Sequence, residues 1–391
     1  MPTSPSSAAT DRPELAPAMG AQWPERLLIV SRSARMLVVS AARAGLRPVA
    51  IDLYGDCDTR EAAAAVATVG PGPRGFDPRQ LLEAAARLAP PGVCGLVYGS
   101  GLDGAPELLE QLAVGRRVFG NGPALLRQLK TPAEFFSLLR RLGIPYPEIR
   151  TTPPPDPDRW LVKSGCSEGG NGVGFCAQAA ALGDRYFQRR LPGDAMSALF
   201  LADGENARIL GFNTLWTVSQ PGRPFLFAGA VNRADLSSAQ RRAVTAQILH
   251  LVRETGLKGL NSVDFMEDGG ICRLLEINPR PSATMALYDP DIPEGLLALH
   301  LSACGGSLAP VVGAGATVRA FRAVFAPRTL TVPAALFWPE WCADRPLPGS
   351  RIGAGQPLCT VSAEGHDRRT VEAALAERAE AVLEALYRAA R

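Results

Sequence analysis

The sequence predicts a parallel α/β region that passes into an α+β region with a small β-rich end. Three observations predict it. Short apolar runs alternate with amphipathic helical stretches up to about residue 122, strand-like runs dominate the middle, and short strands with Gly/Pro turns fill the chain from about 314 before one last helix.

Residues 1–24, rich in Pro, Ser, Ala and Thr without periodicity, cannot bury enough apolar surface to order themselves and read as a disordered tail. Over 25–122 the order is strand 27–30, helix 34–44, strand 48–53, helix 78–88, strand 93–98 and helix 105–114, which implies a parallel sheet flanked by helices. Residues 123–313 open with a helix over 123–142 and a Pro-rich connector, 151–157, that cannot be helical. Strands follow at 160–163, 198–202, 207–216 and 225–232, then a helix at 237–255. Two more strands, 262–266 and 272–277, are joined by Glu267-Asp-Gly-Gly270, a hairpin turn of the Asp-Gly kind, before a helix near 293–303. Residues 314–391 form the small C-terminal α+β domain, with its helix from about 370.

Composition narrows the function. The 391 residues are 47% apolar and 20% charged, and a chain of this length buries about 75% of its unfolded surface, so it needs no disulfide staples. A net charge of +3 without any basic block longer than two residues leaves no footprint for nucleic acid. No apolar window is long enough to span a membrane or to serve as a signal peptide, and the expected location is cytoplasmic. The eight cysteines contain no C-x-x-C pair and read as reduced, mostly buried thiols. His250, His300 and His366 cannot form H-E-x-x-H and read as helix or surface residues.

The basic residues carry the first chemical signal: 41 of them include only three lysines, Lys130, Lys163 and Lys258. A lysine is a compact point charge with three donors, which a planar guanidinium does not replace in a phosphate cradle. Lys258 reads as part of the turn 256–259. Lys163 ends a strand and opens Lys163-Ser-Gly-Cys-Ser-Glu-Gly-Gly-Asn-Gly-Val-Gly174, whose glycines let backbone amides converge on a polyphosphate. None of the lysines follows a glycine in the Walker manner. Farther on, Asp264 and Glu276 lie on the two hairpin strands, and Glu276 and Asn278 share a face because strand side chains repeat every two residues. Two carboxylates and an amide oxygen make a hard oxygen site suited to Mg²⁺. Arg280 follows at its rim.

These stretches resemble the ATP-grasp ligases. The matching segments are Gly120-Asn-Gly-Pro, Leu129-Lys130, Leu142-Gly-Ile-Pro145, Leu161-Val-Lys163 with its glycine loop, Tyr186-Phe-Gln, and Val263-Asp264-Phe with Leu275-Glu-Ile-Asn-Pro-Arg280. Ser33-Ala-Arg35, Asp52-Leu-Tyr-Gly-Asp-Cys-Asp58 and Asp344-Arg-Pro-Leu-Pro-Gly349 are similar to a subgroup of ATP-dependent carboligases related to biotin carboxylase. The resemblance implies an ATP-grasp fold, with 25–122 as the pre-ATP-grasp domain, 123–313 as the ATP-grasp domain and 314–391 as the small C-terminal domain. It implies ATP as cosubstrate, held by Lys130, Lys163, Ser167, Gly169, Gly170, Gly172 and Gln188. Gln188 stands where many members carry an acidic residue at the adenine hinge. It further implies two Mg²⁺ ions, replaceable by Mn²⁺, on Asp264, Glu276 and Asn278, and catalytic roles for Arg280, Lys163 and Arg233, the last toward the γ-phosphate.

The implied reaction phosphorylates a small-molecule carboxylate to an acyl phosphate, which an amine displaces to give an amide, as in the assembly of one-carbon carrier cofactors. A bicarbonate-using carboxylase of the biotin carboxylase type is the alternative, and a homodimer is an expected assembly. Three readings compete from outside that reaction class. Gly165-Cys-Ser167-Glu-Gly169 matches the nucleophile elbow of a serine hydrolase, which requires a helix directly after it. Gly99-Ser-Gly-Leu-Asp-Gly104 matches a dinucleotide fingerprint but lacks the downstream acid, and reads better as a turn lining the substrate cleft. A non-catalytic ATP-binding module is opposed by the intact triad and Arg280.

Overall fold

The computed structural model describes residues 23–24, 26–92, 94–165, 168–176, 185–310, 315 and 317–389. The expected tail therefore lies, but for Trp23 and Pro24, outside the described residues, as does Ser167.

Strand β1 (Arg26–Val30) is apolar from its second residue on, and Leu27 to Val30 are each 0% exposed. A run buried on both faces belongs inside a parallel sheet. Helix α1 (Arg35–Arg43), β2 (Arg47–Asp52), α2 (Cys57–Ala62), β3 (Ala65–Thr68), a ribbon of β4 (Pro71–Gly72) and β5 (Gly75–Phe76), α3 (Pro78–Leu88), β6 (Gly95–Tyr98) and α4 (Pro106–Ala113) complete this region. Its sheet runs β3-β2-β1-β6, with parallel pairing throughout. Asp77 caps α3 by accepting from the Gln80 amide, and Pro78 follows at the first turn, where a missing N–H costs nothing.

The helix expected over 123–142 is two helices, α5 (Pro123–Lys130) and α6 (Pro132–Arg141). Pro132 is the cause: the residue before a proline is pushed out of the helical region, and Thr131 has ψ 111°. The break ends α5 at Lys130, so its ammonium leaves the helix toward the site described below.

A small antiparallel sheet follows, ordered β7 (Ile149–Arg150), β10 (Arg185–Arg189), β8 (Trp160–Ser164) and β9 (Val173–Phe175). Its two faces separate cleanly. Trp160, Val162 and Phe187 form one apolar cluster, whereas Leu161, Lys163, Tyr186 and Gln188 line a cleft on the other side.

The opposite wall is an eight-stranded antiparallel sheet. It takes in β11 (Ala195–Asp203), β12 (Ala207–Gln220), β13 (Arg223–Asn232), β14 (Lys258–Asp268), β15 (Ile271–Asn278), β16 (Val318–Phe325), β18 (Cys342–Ala343) and β20 (Pro357–Gly365), in the order β15-β14-β11-β12-β13-β16-β20-β18. A ribbon of β17 (Leu330–Thr331) and β19 (Arg351–Ile352) lies apart from it. Helices α7 (Ser238–Thr255), α8 (Leu296–Cys304) and α9 (Arg368–Ala389) complete the chain. The C-terminal strands thus extend the central sheet through the pairing of Gly229 with Arg322, while keeping an apolar cluster of their own under α9. Lys258, expected in a turn, begins β14, and the turn before it is made by Gly256 closing α7 in the left-handed region.

The seven described cysteines are free thiols, five of them buried. His300, expected in a helix or at the surface, is a fully buried residue of α8: its Nδ1 accepts from the Leu260 amide at 2.8 Å, so Nε2 carries the proton and donates to the Phe119 carbonyl at 3.0 Å. Among the described residues no helix is long and apolar enough to cross a membrane.

Candidate active site

A cleft of 2120 Å³ lies between the small sheet and the central sheet and reaches the N-terminal region. Its floor is the β14–β15 hairpin. Gly269 and Gly270 both have positive φ, 60° and 86°, as a two-residue primed turn demands. From the turn the pairing proceeds regularly to Phe265 opposite Leu274, and then a bulge shifts it by one. Leu275 and Glu276 consequently both face the cleft, while Leu274 and Ile277 enter the core. Because of that extra residue Asp264 stands opposite Glu276, and Ser262 opposite Asn278. Without it Asp264 would face Leu275.

The triad is in contact with itself and with two cations. Asn278 Nδ2 donates to Asp264 Oδ2 at 3.5 Å, and Asn278 Oδ1 accepts from Lys130 Nζ at 3.3 Å and from Arg280 Nη2 at 3.2 Å. Burial, and then the neighbouring Glu276 carboxylate, push the Asp264 carboxyl well above the usual range. Two carboxyls that share one place need a proton or a cation between them, and the donor set of two carboxylates and an amide oxygen suits a hard divalent ion. Among the described residues no group of three His, Cys, Asp or Glu side chains offers another metal position.

The two lysines differ. Burial works against the Lys130 ammonium, but Asp103 at 3.2 Å and Glu276 outweigh it and hold its pKa above the ordinary value. Burial wins at Lys163, whose pKa is lowered although Glu276 and Asp264 oppose the shift. Arg280, 7% exposed, is fastened by Asp103, which accepts from Nε at 2.9 Å and from Nη2 at 2.8 Å.

Gly169, Gly170 and Gly172 all have positive φ, 60°, 78° and 80°, and line the cleft. Gly169 O accepts from the Phe227 amide at 3.0 Å, which lays this segment on β13. Gln188 is 1% exposed and its amide nitrogen lacks a hydrogen-bond partner among the described residues, so the cleft holds a buried donor in want of an acceptor. Arg233, which the resemblance aimed at the γ-phosphate, follows β13 with φ 62°, is exposed, and does not line the cleft.

Two acidic residues that the sequence reading gave no role, one in the 99–104 turn and one in the glycine-rich segment, complete the arrangement. Asp103 joins Lys130 to Arg280. Glu168, the one acidic residue of the glycine-rich segment, accepts from the Gly101 amide at 2.8 Å and the Asp103 amide at 3.2 Å. The 99–104 turn, expected to line the cleft, contributes Ser100 to its wall. Asn121 fastens the Gly120-Asn-Gly-Pro segment to the central sheet, donating to the Pro279 carbonyl and accepting from the Lys258 amide, at 2.8 and 2.9 Å. Asp344 accepts from Arg35 Nε at 2.7 Å, and Arg345 pairs with Asp58 at 2.8 Å, so the last of the three carboligase-like stretches meets the other two.

The hydrolase reading fails on local structure. Glu168 to Gly172 form a turn leading into β9, a strand, where a nucleophile elbow requires a helix. His250 and His366 are exposed, and both nitrogens of His300 are engaged in the core.

Comparison with known proteins bears on the fold. Residues 133–284 match the ATP-grasp domain. No curated protein matches the chain by sequence. Among solved structures, biotin carboxylase from Campylobacter jejuni is 12% identical with a TM-score of 0.67, covering 89% of each chain. N5-carboxyaminoimidazole ribonucleotide synthetase from Thermus thermophilus is 15% identical with a TM-score of 0.66, covering 92% of this chain and 98% of its own. L-amino acid ligase from Bacillus licheniformis is 13% identical with a TM-score of 0.63 over the same shares, 92% and 98%. Residues 133–284 therefore match an ATP-grasp domain, and the fold of the chain as a whole resembles that of biotin carboxylase.

Proposed function

We propose that the protein is an ATP- and Mg²⁺-dependent ligase that joins a small-molecule carboxylate to an amine through an acyl phosphate. The observation that carries the reading is the convergence of Lys163, Asp264, Glu276, Asn278 and Arg280 on one cleft, with Lys130 bonded to Asn278 at its wall. Lys130 and Lys163 neutralise the polyphosphate, and the amides of Gly169, Gly170 and Gly172, with the unseen contribution of Ser167, cradle it. Gln188 supplies the buried donor for the base. Asp264, Glu276 and Asn278 hold the metal, as two Mg²⁺ ions or Mn²⁺ in their place, and the metal contributes charge neutralisation of the transferring phosphoryl group. Arg280 binds the carboxylate's acyl phosphate and the oxyanion formed when the amine attacks. Arg233, outside the cleft wall, receives no role.

The carboxylase reading is kept for one reason: biotin carboxylase and N5-carboxyaminoimidazole ribonucleotide synthetase resemble this fold as well as the amino acid ligase does. A cytoplasmic setting, a homodimer and a place in one-carbon carrier biosynthesis belong to the same proposal. The test is ADP release with Mg²⁺-ATP over panels of carboxylates and amines, repeated with bicarbonate. Amine-dependent release is expected, and Glu276→Ala abolishes it with every substrate. Undiminished turnover of that variant refutes the metal role, and release that needs bicarbonate and no amine replaces amide formation with carboxylation.

A further inference from the structure

Asp103 stands on the turn between β6 and α4, in the N-terminal region, and its side chain is 0% exposed. A carboxylate withdrawn from water that far persists only with partners. Here they are the two cations of the proposed ligase site, and the count of their donors gives Asp103 its significance.

Arg280 has five N–H groups. Nε and one hydrogen of Nη2 go to Asp103, the other Nη2 hydrogen goes to Asn278 Oδ1 at 3.2 Å, and one hydrogen of Nη1 goes to the Pro281 carbonyl at 3.2 Å. One Nη1 hydrogen is left without a partner among the described residues. Lys130 has three donors, of which one reaches Asp103 at 3.2 Å and one reaches Asn278 Oδ1 at 3.3 Å. Again one is left. Each cation therefore offers a single donor, and the direction of that donor is set by the bonds already made. The guanidinium is held along its Nε–Nη2 edge, the two-point geometry that fixes a planar group in rotation as well as in place.

The same turn also receives the anion of the glycine-rich segment. Glu168, directed into the cleft, would repel a polyphosphate. It is instead turned onto the Gly101 and Asp103 amides, at 2.8 and 3.2 Å.

We propose that Asp103 is a positioning residue of the ligase reaction, which aims the one open donor of Arg280 and the one open donor of Lys130 at the group undergoing phosphoryl and acyl transfer. The role rests on the ligase reading. Asparagine at this position keeps an acceptor but loses the charge and the two-oxygen fork, which frees Arg280 to turn toward Glu168 and Glu276, the other carboxylates that act on it.

The test is a double-mutant cycle on the full chain with Asp103→Asn, Arg280→Gln and the pair, measuring ADP release, the KM for ATP and the melting midpoint. Asp103→Asn is expected to lower kcat by about 10²-fold, the loss typical of one oriented oxyanion donor, with the KM for ATP changed less than about threefold. Acting through Arg280 as well as Lys130, it is expected to cost clearly less in the Arg280→Gln background than in wild type, only the share through Lys130 remaining. Asp103→Glu, which keeps the charge one methylene farther out, carries the cycle if the asparagine variant does not fold, with the same lack of additivity. Unchanged kcat in Asp103→Asn, or losses that multiply in the pair, overturn the role. A wild-type chain that releases no ADP with any substrate overturns the ligase reading and the role together, whereas an active wild type with an equally active Asp103→Asn overturns the role alone.

Discussion

Gly169 and Gly170 are adjacent, share positive φ and differ in one respect that makes a sharp prediction. A Cβ at Gly169 meets nothing within 4 Å, whereas one at Gly170 would lie 1.8 Å from the Phe225 carbonyl oxygen and 2.7 Å from its carbon. Both obstructing atoms are backbone of β13 and cannot rotate away. Restoring even about 3.0 Å of separation requires the segment to move by roughly 1.2 Å. Gly169→Ala therefore carries only the cost of an alanine in the left-handed region, about 1–2 kcal/mol. Gly170→Ala carries that cost plus the displacement, and with it the Phe227 to Gly169 hydrogen bond, worth a further ~1 kcal/mol. A misplacement of about an ångström in a positioning element costs about 10²-fold in rate. Steady-state ADP release with ATP as the varied substrate is the assay. The expectation is a Gly169→Ala enzyme within about tenfold of wild type and a Gly170→Ala enzyme about 10²-fold slower or worse. Equal rates for the two variants would refute the claim that close approach of this segment to β13 sets the nucleotide site.

Further consequences follow from buried titrating groups. Asp264 has a raised pKa in the folded protein, so its ionisation opposes folding, and the penalty grows as pH rises above the unfolded value near 3.8 toward the folded one. Asp264→Asn should raise the metal-free melting midpoint at neutral pH, by about 2–4 °C for each kcal/mol relieved, while eliminating ADP release; a lower midpoint would contradict the shared-proton description. His300 shows the reverse sign. Its pKa is pushed down to about 4 by burial, so stability is lost as pH falls from about 6.5 through about 4, with a full contribution of roughly 3 kcal/mol. Chemical denaturation of wild type and His300→Gln across that window should show a steeper decline in the wild type, and parallel curves would count against a neutral buried imidazole.

The sequence made the β14–β15 hairpin legible because its signals are local: two glycines at the turn, alternation along both strands, and Glu276 and Asn278 two residues apart. The bulge was not legible, since Leu274 and Leu275 are equally apolar and only the pairing with β14 decides which one enters the core. Pro132 was in plain view, but apolar positions on both sides of it keep helical spacing, and the break emerges only when Pro132 is taken as the start of a second helix. Asp103 sat in a turn legible as part of the cleft, but nothing near it in the chain named its partner. Its partner Arg280 is 177 positions away, and the two meet only because the N-terminal region folds against the hairpin's end. Arg233 follows the last residue of β13, Asn232, and its positive φ carries it away from the cleft wall, which the sequence did not disclose.

The central claim is that one triphosphate tail lies between Lys130, Lys163 and the Asp264, Glu276 and Asn278 oxygens. A crystal structure of the protein grown with ADP and Mg²⁺ tests it most directly. The account predicts electron density for the diphosphate between those five side chains, with the base beside Gln188. A nucleotide bound elsewhere on the molecule, with the five side chains unchanged, would contradict it.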